Sequence, residues 1–179
     1  MIGLLCRTGL FERTCTYMSS NEFIPDTFLE FPGAAGECTV TGYTSTIAVL
    51  QYTLEVYAAS TLGHGAGQSG GKGTCSPISL TVVHDKGFAL LRKFAAQGKV
   101  VSSGVVLTRT ADGHKDEEIR LSDVKVISAL STHGHGGQNE AAIVLSFGQA
   151  VVTTYEETAP SIFTVADTTT YNLKQGLTL

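Results

Sequence analysis

The chain has 179 residues, 42% of them apolar and 16% charged, with a formal net charge of −4. That length closes one hydrophobic core without metal or disulfide help and leaves no room for a second full domain. The acidic balance, with no Lys/Arg cluster, excludes a nucleic-acid footprint, while the low charge leaves a Gly-, Ser- and Thr-rich surface suited to packing against neighbours.

The start of the chain is a short apolar run broken by Arg7, Glu12 and Arg13, so it lacks the core of a signal peptide. Leu5 ahead of Cys6 makes a poor lipidation box. No apolar run approaches the roughly 18 residues of a membrane-crossing helix. These features predict a chain made in the cytoplasm, not inserted in a membrane, with any export by a route that ignores signal peptides. Patterned sequence begins only after Met18, so residues 1–17 are expected to be an arm that adds nothing to the fold. Cys6, Cys15, Cys38 and Cys75 show neither CxxC spacing nor a His at metal-ligand offsets, which argues against a disulfide framework or metal knuckle.

Phe28 to Phe31 reads as a short strand, Pro32 to Glu37 as a turn, and Cys38 to Thr41 as a possible return strand. From Ile47 to Tyr57 the pattern alternates, with Ala48, Leu50, Tyr52, Leu54 and Val56 on one side and Gln51, Thr53 and Glu55 on the other. The Gly-rich stretch from His64 to Gly73 predicts an exposed loop, and Ile78, Leu80 and Val82 mark another strand. Between Lys86 and Gln97 the period changes to that of a helix, with Phe88, Leu91, Phe94 and Ala95 on one face. Asp85 supplies the N-cap and Gly98 the residue past the C-terminus.

Three long strands follow, Val105 to Thr110, Ile119 to Ser131 and Ala141 to Tyr155, separated by hairpin loops at 111–114 and 133–137. In the middle one the apolar phase slips across Asp123, which predicts a bulge. In the last, Ile143, Leu145, Phe147, Val151 and Tyr155 share one face, and Ser146, Gly148, Ala150 and Thr154 form a smooth opposite face. Many strands and one helix imply a mainly β fold, a rolled antiparallel barrel or tight two-sheet sandwich with a flanking helix.

No constellation of residues asks for chemistry. His133 and His135 share a Gly-rich loop without a third ligand, and His64 is as bare. HGAGQSGGKGT lacks the glycine spacing of a phosphate loop and precedes a strand rather than a helix. Asp112, Asp116, Glu117 and Glu118 read as a solvated turn and strand start, and His84 as a satisfied histidine at a strand end. No catalytic, cofactor-binding or metal-ligating residue is expected.

From Asp85-Lys86 through Gly98-Lys99, Val105 to Arg109, the block Ile119-Arg120-Leu121-Ser122-Asp123-Val124-Lys125-Val126-Ile127-Ser128, Val144 to Phe147 and Thr154-Tyr155, the order and spacing resemble the Hcp (haemolysin-coregulated protein) family. Phe28-Leu29-Glu30-Phe31-Pro32-Gly33-Ala34-Ala35-Gly36-Glu37 is similar to that family's opening strand and turn. The helix departs from the family pattern in opening on Gly87-Phe88-Ala89 without proline.

The resemblance implies a phage-tail-tube-like barrel at 18–157, flanked by an arm at 1–17 and a tail at 158–179. It implies a structural subunit of the type VI secretion inner tube, in stacked hexameric rings expelled by a contractile sheath behind a spike tip protein, with effector proteins in the lumen. It places an extended loop at Thr39 to Thr46, where Gly42, Tyr43, Thr44, Ser45 and Thr46 are expected at a subunit interface. Tyr43 would be the anchor, and the segment would add little to its own barrel. A small β-barrel that binds a ligand inside is the alternative, and it needs a hollow lined by apolar side chains.

Overall fold

Alternating side chains give each strand an inner and an outer row, and strands paired in a closed circuit bring their inner rows together as a core. The computed structural model describes residues 25–60, 70–110, 112–132, 140–160, 162–173 and 177–178. The elements are β1 (Thr27–Glu30), β2 (Ile47–Thr53), β3 (Val56–Ser60), β4 (Gly70–Cys75), β5 (Ile78–Val83), α1 (Lys86–Gln97), β6 (Val100–Arg109), β7 (Lys115–Thr132), β8 (Glu140–Ser146), β9 (Gln149–Ala159), β10 (Ile162–Asn172) and β11 (Leu177–Thr178).

Six strands close on themselves in the order β7-β6-β1-β2-β5-β8 and back to β7, every neighbour antiparallel. Closure removes the unpaired edges that an open sheet would expose. Leu29, Ile47, Val49, Ile78, Leu80, Val82, Ile119, Leu121, Ile143 and Leu145 are all buried in one continuous cluster. A six-stranded barrel has room for such side chains and little else, so the hollow that a ligand inside would need is filled.

β7 is the longest strand because it serves two partners on one edge. Its first half pairs with β9, from Glu117↔Thr154 to Ser122↔Gln149, and its second half with β8, from Lys125↔Ser146 to Thr132↔Glu140. β10 adds to the far side of β9, so β9, β10 and β11 form a flap that leaves the barrel along β7. A separate hairpin, β3 with β4, lies between β2 and β5 in sequence.

The α1 helix begins where the N-cap predicts, with the Asp85 carboxylate accepting from the Phe88 amide at 2.9 Å, and ends on Gly98 at φ 62°. It buries Gly87, Phe88, Leu91 and Phe94. The chain leaves β5 into this helix and returns into β6, so the helix lies at the barrel end where β1 also exits. There Phe94 meets Phe31 at 6.1 Å between ring centroids, and Gly87 lies against Ile47.

Several strands differ from the sequence pattern, each through a local irregularity of the ladder. The run expected from Ile47 to Tyr57 is two strands, and Ile47 and Val49 face inward instead of Ala48 and Leu50. A register shift between Val49 and Gln51 then reverses the phase, which lets Tyr52 and Leu54 pack against the core. The slip at Asp123 is present, its φ of 52° carrying burial from Ile119 and Leu121 to Val124 and Val126. A second shift follows between Val126 and Ser128.

The expected strand from Ala141 to Tyr155 breaks at Phe147-Gly148 into β8 and β9, where the Gly148 amide donates to the Ser122 carbonyl at 2.9 Å. Beyond the break Ala150 turns inward, not onto the smooth face. Residues 70–73 of the expected Gly-rich loop lie in β4, and 162–172 of the expected tail form β10. The arm at 1–17 lies outside the described residues.

Candidate assembly surface

The segment from Gly36 to Thr46 is not a strand but a loop folded on itself. The Gly36 amide donates to the Ser45 carbonyl at 2.8 Å, Cys38 to Thr46 at 3.2 Å, and Ser45 back to Cys38 at 3.0 Å. A turn at the tip carries the Tyr43 amide to the Val40 carbonyl at 2.9 Å, and the Thr46 hydroxyl donates to the Tyr43 carbonyl at 2.6 Å. Gly42 at φ 86° supplies the left-handed residue that reverses the chain, and Ser45 adopts φ 66°. The base is pinned by Asp85, whose other carboxylate oxygen accepts from the Glu37 amide at 3.0 Å.

Thr41, Gly42, Thr44 and Ser45 are exposed, Thr46 is buried, and Tyr43 is half-buried. Tyr43 does not project away from the subunit. Its ring stacks on that of Phe28, with centroids 4.2 Å apart and planes 10° apart. Phe28 is fully buried although it points to the outside of β1, because Tyr43 covers it. The expectation that this loop adds little to its own barrel is therefore corrected.

Ile127 and Leu130 on β7 keep half or more of their surface in contact with solvent. Leu130 pairs with Ala142, and Ser128 with Val144, which lies opposite Ser79 on β5. This outer wall carries Ser128 and Leu130 on β7 beside Val144 and Ala142 on β8, all small or apolar.

The residues weighed for chemistry stay dispersed. His64, His133 and His135 lie outside the described residues. His84 packs its ring at 4.9 Å from Phe88. Asp112 and Asp116 are exposed. Glu117 accepts from the Tyr52 hydroxyl at 3.2 Å, and burial together with that carboxylate pushes the Tyr52 phenol above its ordinary value. No group of three or more metal-ligating side chains forms among the described residues.

Glu118 corrects the reading of a solvated turn, for it is 3% exposed. Burial alone would raise its carboxyl. The Lys115 ammonium at 3.0 Å, the Tyr155 hydroxyl at 3.0 Å and the Arg120 guanidinium instead hold it below the usual carboxylate range. A hint was available in the sequence: Glu118 sits between Lys115 and Arg120 on a strand whose next turn of pattern is apolar. That pattern alone does not reveal Tyr155 across the ladder.

A family model described as "Type VI secretion system effector, Hcp" matches residues 28–155, which is most of the chain. The chain belongs to the Hcp family. Solved Hcp-like structures share its fold. One described as a type six secretion system protein superposes with a TM-score of 0.81 at 18% identity, over 87% of this chain and 100% of the other. Hcp1 from Salmonella typhimurium gives 0.70 at 21% identity, over 86% and 98%. A type VI secretion system effector from Yersinia pestis gives 0.67 at 18% identity, over 82% and 99%. A search of curated proteins returns no match. As an Hcp, the chain is a tube protein of the type VI secretion system, and its closed barrel with extra strands and a flanking helix is the family's architecture.

Proposed function

We propose that copies of this Hcp close into six-membered rings, that the rings stack into the secretion tube, and that Gly42, Tyr43, Thr44, Ser45 and Thr46 lie at contacts between copies. The family match over residues 28–155 carries this reading. The surface is in keeping with it, because a barrel whose core is already complete still exposes Ile127 and Leu130 on a wall of small side chains. Two different patches meeting head to tail generate a closed ring, which is how one chain builds a tube from identical parts.

In this reading the partners are the chain's own copies, a spike protein at the tip, a contractile sheath outside and effector proteins in the lumen. The tube forms in the cytoplasm and leaves it on contraction. The role is structural and involves no turnover of substrate. Native mass spectrometry tests the ring, with a six-fold mass expected, and electron microscopy tests the stacking. A chain that stays monomeric at high concentration overturns the proposal.

A further inference from the structure

The loop at 36–46 is held at its tip as well as at its base. The Arg109 guanidinium lies 5.4 Å from the Phe28 ring centroid and 5.8 Å from that of Tyr43, within reach of a cation–π attraction to both. One nitrogen of its fork donates to the Pro25 carbonyl at 3.2 Å, and Nε lies 3.8 Å from the Asp26 carboxylate. Nε is buried and has no hydrogen-bond partner among the described residues. A buried donor left without a partner has a cost. The side chain of Arg109 is therefore placed by the two rings, the Pro25 carbonyl and the Asp26 carboxylate, without complete hydrogen bonding. A planar, permanently charged guanidinium suits such a place where an ammonium does not.

The geometry points to Arg109 as a positioning residue, which latches Tyr43 onto Phe28 so that Gly42, Thr44 and Ser45 are presented in one arrangement before any second copy arrives. This rests on the reading of those residues as a contact between copies. An ordered loop joins a neighbour without losing conformational freedom at that moment, so a preset loop lowers the concentration at which rings form. Arg109 has a side chain only 13% exposed, so it offers little surface of its own to a neighbour. Its removal acts on assembly through the loop.

The test replaces Arg109 by Met, which keeps an apolar stem and loses the charge and the fork, and by Lys. Tyr43→Ala and Tyr43→Phe form a second pair. Amide hydrogen exchange is followed at Ser45, inside the loop, and at Leu121 and Ile143 in the barrel, and ring formation is followed by native mass spectrometry over a dilution series. Arg109→Met and Tyr43→Ala are expected to speed exchange at Ser45 by about tenfold or more, to leave the barrel amides slow, and to raise the concentration needed for rings. Tyr43→Phe is expected to restore both readouts, and Arg109→Lys to restore them only in part.

Unchanged Ser45 exchange in both Arg109→Met and Tyr43→Ala overturns the latch. Fast Ser45 exchange with rings still forming at the wild-type concentration also overturns it, while leaving the tube reading intact because rings are seen. A wild-type chain that never forms rings overturns the tube reading and the latch together. Should Tyr43→Ala fail to fold, Arg109→Met with slow barrel amides decides alone.

Discussion

Tyr155, on the outer part of β9, donates its hydroxyl to the Glu118 carboxylate on β7 at 3.0 Å, and so closes a charged cluster between the flap and the barrel. The acceptor is buried, and its other partners, Lys115 and Arg120, are cations on the same strand. Tyr155 is the member of the cluster that comes from β9.

The pH dependence of this cluster has a definite sign. The folded pKa of Glu118 is lowered from its ordinary 4.5, so its stabilisation is fully present above that value and is lost as pH falls through the lowered folded value. Glu118→Gln is expected to cost about 1.5–3 kcal/mol at neutral pH, the range for hydrogen bonds to a charged group. Its melting temperature should also fall less steeply than that of the wild type between neutral and acidic pH. Parallel acid limbs for the two proteins would show that Glu118 contributes nothing to the pH dependence.

Gly87 should invert the usual rule for helices. Alanine in a helix ordinarily gains up to about 1 kcal/mol over glycine. At this position the added Cβ would lie 2.7 Å from Ile47 Cγ1 and 3.0 Å from the Gly36 Cα, so the helix must move off the barrel end. Gly87→Ala is expected to lose about 1–3 kcal/mol, the cost of overpacking, in urea titration. An increase in stability would mean the helix can shift freely.

Asp85 serves two elements with one carboxylate, capping α1 through the Phe88 amide and holding the Glu37 amide at the base of the loop. Asp85→Ala is expected to cost about 2 kcal/mol, the upper end for a lost cap, because a second amide also loses its acceptor. Asp85→Asn keeps one acceptor oxygen and should recover most of the helix term while leaving the Glu37 amide with a weaker partner. Thermal melts of the two variants separate these contributions, and equal losses would show that the charge, not the geometry, matters.

Deleting Gly42 to Ser45 looks harmless from sequence, since the segment is small and polar apart from one tyrosine. The fold predicts the opposite. Removing Tyr43 uncovers the fully buried Phe28 ring, and exposing a side chain of that size costs about 1.5–3 kcal/mol. For a chain of this length that amounts to a fall of roughly 3–12 °C in melting temperature. Calorimetry of the deletion variant against Tyr43→Phe checks it, with no fall expected for the latter.

These cases mark where the sequence is informative. The helix reads clearly because Asp85, the Phe88/Leu91/Phe94 stripe and Gly98 are all local signals within one element. Strand phase reads well only between bulges. Ile47 and Val49 face inward and Tyr52 packs on the core, but which residue absorbs the change is decided by pairing with β5, a partner distant in sequence. β10 left no alternation to find, since most of its Thr-rich length is exposed on both faces. Its β-branched residues fit a strand without announcing one. The loop at 39–46 is small and polar in sequence, and Gly42, Thr44 and Ser45 are exposed, but the stack of Tyr43 on Phe28 depends on the loop folding back over the outer row of β1, which no local pattern announces.

The continuity of β7 across two partners has a mechanical meaning. A strand gripped by β9 along one half and by β8 along the other works as a single beam, with its middle at Asp123 opposite the gap between them. Tension applied along the flap passes into β7 in shear, so the bonds from Glu117↔Thr154 to Ser122↔Gln149 share the load instead of opening one after another. Tension across the strands would peel the same ladder from its end at low force. Along its strands this wall of the subunit is therefore strong, and across them it yields first.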